Sequence, residues 1–130
     1  MQVEDFIESV LAQNAAIQQA TGGRVFAFTT AQGTHTYPFI WWQTITSETI
    51  AKDLKTVGEA WRDEVQVDVF AGSVSAASNL ADTVRQAFNN AALQDGILSS
   101  EADQILPSYC DEDESIHYAV RVFVNHKIEI

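Results

Sequence analysis

At 130 residues, 46% hydrophobic and 19% charged, the chain has the make-up of one globular domain, which excludes wholesale disorder and leaves little room for a two-domain enzyme. Eighteen acidic against seven basic residues give a net charge of −11, which argues against free duplex nucleic acid as a partner, because binding it requires neutralising phosphates. No apolar run approaches the roughly 20 residues that span a bilayer, no basic segment opens a secretory signal, and the single cysteine, Cys110, excludes an intrachain disulfide framework and fits a reducing cytoplasm.

Val3, Phe6, Ile7, Val10, Leu11 and Ile17 form an apolar stripe that predicts one amphipathic helix over residues 2–19. Glu4, Asp5 and Glu8 suit its positive N-terminal end, and Gly22-Gly23 supplies its stop. Residues 24–28 read as a short strand, and residues 29–36 as a polar loop around Gln32-Gly33-Thr34. Residues 37–46 form a strand dense in aromatics, with Pro38 confined to its start or to an edge because it cannot donate a ladder hydrogen bond. Residues 47–60 fit either a helical turn or the tip of a long hairpin. The placement of Trp41-Trp42 and Trp61-Arg62 on either side favours the hairpin.

Val65, Val67 and Val69 then alternate with Glu64, Gln66 and Asp68, the period of a strand with one buried and one wet face. The valines are expected to face helices, and the polar set to face solvent or a neighbouring subunit. Gly72 ends this strand and Ser73 caps a helix carrying Ala77, Leu80, Ala81, Val84, Phe88 and Ala91 at helical spacing. Asp95-Gly96 marks a turn. Residues 104–110 suggest a short strand, which Pro107 demotes toward an edge. After the acidic turn Asp111, Glu112, Asp113 and Glu114, the alternation of Ile116, Tyr118, Val120, Val122 and Val124 predicts a long strand. The order α-β-β-β-α-β-β implies a single α+β domain over residues 1–130. Its mostly antiparallel sheet has about five strands, with two main helices packed on it.

The chemistry-bearing residues do not assemble. His117 and His126 are nine positions apart, so strand alternation sends them to opposite faces, and no zinc-ligand spacing exists. Cys110 sits beside Asp111 and Glu112, which disfavour a thiolate, so it reads as structural rather than nucleophilic. The acidic turn lacks the spacing of a calcium loop; a solvated hairpin turn is the plain reading, and an electrostatic surface in an assembly is the functional one. The strand-to-helix turn carries no phosphate-binding or nucleophile motif. No metal, cofactor or catalytic residue is expected, and the chain does not read as an enzyme.

Adjacent Trp41 and Trp42 must point to opposite sides of their strand, so one of them is covered by helices or sits at an interface. The scarce cations Arg62, Arg85 and Arg121 are expected in ion pairs within the fold or between subunits. Trp41, Trp42, Glu64 and Asp68 on the sheet, with Asp111, Glu112, Asp113 and Glu114 in the turn, are therefore the candidate interface or channel residues.

Several blocks in order resemble the tail completion (head–tail joining) family of long-tailed bacteriophages and prophages. They are Gly22-Gly23-Arg24-Val25-Phe26 after the first helix, and Gln32-Gly33-Thr34 leading to Tyr37-Pro38-Phe39-Ile40. Val65-Gln66-Val67-Asp68-Val69-Phe70-Ala71 follows, then a helix with Leu80-Ala81 and Val84-Arg85, and a closing strand over residues 118–124. The resemblance implies a virion protein that is assembled in the bacterial cytoplasm. It implies a ring of six copies at the head-proximal end of the tail, contacting the major tail tube protein and the head connector, with DNA only as passing cargo. Residues 47–60 and the acidic span 95–114 are departures from that pattern. The rival reading is an acidic cytoplasmic binding or inhibitor module, a nucleic-acid mimic or immunity-type protein that holds a basic partner. A small enzyme is the third.

Overall fold

The computed structural model describes residues 3–27, 36–51, 59–94, 96–107 and 116–128. Three helices and five strands follow in the order α1 (Val3–Gln13), α2 (Ala15–Thr21), β1 (Val25–Ala27), β2 (Phe39–Ala51), β3 (Glu59–Ala71), α3 (Val74–Asn89), β4 (Ile97–Pro107) and β5 (Ile116–Ile128). The strands form one sheet in the order β1-β2-β3-β5-β4. Every pairing is antiparallel except that of β1 with β2. The α+β class, the five-stranded, mostly antiparallel sheet and the approximate element order agree with the sequence reading.

The expected first helix is two helices. Asn14 takes an extended conformation and its side chain accepts the N–H of Ile17, the N-cap role that competes with helix continuation. The Gln18 side chain then donates to the Leu11 carbonyl, which the break in the helix leaves without an N–H four residues on. Gly22 ends α2 in the left-handed conformation, at φ 61°, where its N–H reaches Gln18.

Antiparallel pairing of β2 and β3 continues out to Ala51 and Ala60, so the hairpin reading of residues 47–60 is correct for its described part; its tip lies outside the described residues. The symmetry that favours the hairpin in the sequence does not hold in register. Trp61 pairs with Thr49, and Trp42 with Val67, so the tryptophans are not cross-strand partners. The aromatic strand also runs past residue 46 to Ala51, and Pro38 precedes it in a cis peptide. The strand expected at residues 104–110 is β4, which begins earlier, after Gly96 turns the chain at φ 86°. Its apolar residues do not alternate cleanly, because it carries irregularities beside Leu98 and Asp103. It is an edge strand, as Pro107 requires. Helix α3 starts at the Ser73 cap and ends before Ala91.

Packing follows the predicted faces. Val65, Val67 and Val69 of β3, Val120, Val122 and Val124 of β5, and Ile40 and Trp42 of β2 are buried under the helices. The helices contribute Phe6, Ile7, Leu11, Ile17, Leu80, Val84 and Phe88 to the same core. Each such side chain, fully buried, stabilises the fold by about 1.5–3 kcal/mol. Phe6 meets Phe88 edge to face at 6.5 Å, joining α1 to α3 above the sheet. Phe88→Ala is expected to lower unfolding stability by about 3–5 kcal/mol in a urea titration. Val74→Ala, at a position 59% exposed, should shift it by less than about 0.5 kcal/mol.

Candidate functional site

The helix-free face of the sheet is built by the alternate residues of the strands that bury the valines. At one end it carries an aromatic stack across three strands. Tyr37 stacks on Phe39 at 5.6 Å, Phe39 on Phe70 at 4.6 Å, and Phe70 on the His117 ring at 4.3 Å. Phe26 and Trp41 pack against its sides. The i, i+2, i+4 spacing of Tyr37, Phe39 and Trp41 is visible in the sequence. Their meeting with Phe70 and His117 depends on the pairings Phe39–Phe70 and Phe70–His117, which no local pattern specifies.

Beyond the aromatics the face is polar, and its groups partner one another. His117 Nε2 lies 2.7 Å from Asp68 Oδ1, which also accepts from Gln66 Nε2 at 2.8 Å. Arg121 donates to Glu64 Oε1 at 2.6 Å, and its guanidinium lies 5.9 Å from the Phe123 ring centre. Arg62 donates to the Asn125 side chain, whose amide donates to Ser99. These contacts bind β3, β5 and β4 together. Glu64, Gln66 and Asp68 lie on the face opposite the valines, as the alternation predicts, but they are not free there: Asp68 is buried, and Glu64 is paired with Arg121. Arg85 pairs with Asp82 on α3, so of Arg62, Arg85 and Arg121 the last two form ion pairs within the fold.

Trp41 and Trp42 do lie on opposite faces. Trp42 is in the helix-covered core, and Trp41 is half-buried in the aromatic end of the free face. Asp111, Glu112, Asp113 and Glu114 lie outside the described residues.

A second polar group occupies the valine face near the far end of the hairpin. Asp63 Oδ1 accepts from Ser47 Oγ and lies 3.0 Å from His126 Nε2, so one buried carboxylate ties β2, β3 and β5 together. The sequence carries a signal for it. Extending the valine alternation back from Val65 puts Asp63 on the buried face, where a carboxylate requires partners. Serine, histidine and aspartate here do not form a nucleophilic relay, because serine and histidine share the same aspartate oxygen and no serine–histidine bond is present in this cluster. Among the described residues no group of three or more histidine, cysteine or carboxylate side chains could hold a metal.

Two clefts lie among the described residues. One of about 210 Å³ on the free face is lined by Arg62, Ser99, Glu101, Asp103, Phe123 and Asn125. The larger, about 480 Å³, lies between α1, α2 and α3 and is lined by amides, hydroxyls and alanines, including Gln13, Asn14, Thr83 and Gln86. Its lining holds no carboxylate, histidine, lysine or cysteine, so among the described residues it presents no general acid or base beside the Ser9 and Thr83 hydroxyls. Asp63→Ala, which leaves both Ser47 and His126 without their acceptor, is expected to cost about 1–3 kcal/mol of unfolding free energy. Glu64→Gln, whose arginine partner is 36% exposed, should cost less than about 1 kcal/mol in the same titration.

A family model described as tail completion protein gp17 matches residues 7–105. That span holds every block of the sequence resemblance except the closing strand. No functionally curated protein matches. Among solved structures, a chain in the virion of a native gene transfer agent particle superposes with a TM-score of 0.73. The two are 12% identical, and the match covers 94% of this chain and 92% of that one. At that identity the likeness is one of fold.

Proposed function

The chain belongs to the tail completion protein gp17 family, and from that premise we propose that it forms a ring at the head-proximal end of a phage or prophage tail. The ring, of six copies, ends the tail tube, joins it to the head connector and leaves a channel for DNA. The observation that carries this reading is the family match, which takes in β1, β2, β3, α3 and most of β4. The protein acts by contact, not by catalysis, and its partners are further copies of itself, the major tail tube protein and the connector.

The physical features support that role. A closed ring needs two different patches per subunit, and among the described residues the two edges of this sheet differ: a long strand, β2, only partly covered by β1, and the irregular β4. Cross-strand pairs on the free face hold its side chains in place, so little freedom is lost when a neighbour docks. A charge of −11 suits a conduit that must not retain phosphate. In this reading the acidic turn at Asp111, Glu112, Asp113 and Glu114, or the tip of the β2–β3 hairpin, faces the channel or an axial neighbour.

The test removes the charge without removing the residues: Asp111→Asn, Glu112→Gln, Asp113→Asn and Glu114→Gln together. The expected outcome is a chain that folds with unchanged circular dichroism and melting, while plaque titre falls and electron micrographs show unjoined heads and tails or DNA-filled heads that do not eject. Titre equal to the parent's would remove the channel role from this turn. Electron microscopy of tail ends labelled through this chain tests the ring itself, and label found anywhere but at the head-proximal end contradicts the placement.

A further inference from the structure

The two edges of the sheet are protected to very different degrees. An open edge strand presents unpaired backbone groups to any passing chain, and folded proteins blunt such edges with proline, charge, bulges or a covering side chain. β4 has all of these. It ends in Pro107, exposes Glu101 and Asp103, and is irregular beside Leu98 and Asp103. The Asn89 side chain at the end of α3 also binds both the N–H and the C=O of Ala102, as a paired strand would.

β2 has little of this. β1 covers it only at Ile40, Trp41 and Trp42. Along residues 43–51, among the described residues, no strand pairs its second side. The segment reads Gln-Thr-Ile-Thr-Ser-Glu-Thr-Ile-Ala, with high strand propensity and neither proline nor lysine. Residues 44–48 are all exposed, on both faces of the strand, and Ile45 is 42% exposed at a register shift. Its register shifts, beside Ile45 and Ile50, and the single exposed charge of Glu48 are its protection among the described residues.

We infer that residues 43–51 of β2 receive an extended, basic segment from a different virion protein, which adds to the sheet as a sixth strand. The edge offers about 30 Å of backbone for such pairing. Charge complementarity sets the chemistry of the guest. The host chain is at −11 and the edge's one charge is Glu48, so a lysine or arginine opposite Glu48 and an apolar residue against Ile45 fit it. A second copy of this chain fits poorly. Its β4 edge is closed by Asn89 and carries like charge, and two β2 edges pairing with each other would create a two-fold axis, which the head-to-tail contacts of a ring do not contain. The last step rests on the ring reading above.

A benzophenone amino acid placed at Thr46, with one at Glu101 as the control edge, tests this in cells assembling the particle. Cross-linked chains are identified by peptide mass. The expected product joins position 46 to a lysine- or arginine-containing segment of another structural protein, with the control position giving none of it. Products confined to a second copy of this chain, or to residues 28–35 of the same chain, overturn the inference, as does the absence of any product at 46. The paired variant is Thr46→Lys, which sets like charge against a basic strand. It should reduce joined particles at least about tenfold, since like-charge contact costs more than the ~1.4 kcal/mol of one decade. Monomer melting should be unchanged, and Thr46→Val should join normally; wild-type joining by Thr46→Lys counts against the inference. Rings seen without the foreign cross-link defeat the strand addition alone. The foreign cross-link seen in particles without rings defeats the ring reading and leaves the docking edge standing.

Discussion

A central strand paired on both sides along almost all of its length is the constraint on which the rest of this structure depends. β3 matches β5 residue for residue from Glu59–Ile128 to Ala71–Ile116, and β2 pairs with it over nearly the same span with two interruptions. Its valines, with those of β5, form a continuous apolar floor at one residue in two. Burying that floor requires a layer of helices, and α1, α2 and α3 supply it from sequence segments on either side of the central hairpin. A one-residue slip of β3 would send Glu64, Gln66 and Asp68 into the core, so register and burial enforce each other.

The same alternation produces the helix-free face. Each valine buried on one face places a polar or aromatic residue on the other, and those residues find partners across strands instead of remaining free. His117 with Asp68 and Arg121 with Glu64 are separated by 49 and 57 positions in sequence. The Arg121–Glu64 pair, with its arginine 36% exposed, adds little stability. Their consequence here is order: side chains already held in one arrangement make a surface that a neighbour can meet without freezing it.

Several features are legible in the residues alone. The valine alternation, the Ser73 cap, the Gly22 stop, the opposite facing of Trp41 and Trp42 and of His117 and His126, and the edge position of the Pro107 strand all follow from backbone chemistry within a few residues. The break at Asn14 is hidden because the apolar stripe continues through it, while the competing event is a single side chain accepting a backbone N–H. β4 reads as shorter than it is because its irregularities beside Leu98 and Asp103 scramble the period-two pattern. The Asp63 clamp lies between these cases. Its place on the buried face can be counted from Val65, but its partners Ser47 and His126 arrive from two other strands.

Local periodicity and end signals thus suffice for the element types, the buried faces and the class of the domain, because those depend on interactions between near neighbours. Which strands lie beside which, where each partner stands in register, and therefore which carboxylates are paired and which edge is left open, are set by contacts between residues tens of positions apart. The stack of Phe39, Phe70 and His117, and the length of β2 that no other described residue covers, belong to that second kind. They exist only once the whole sheet has closed around β3.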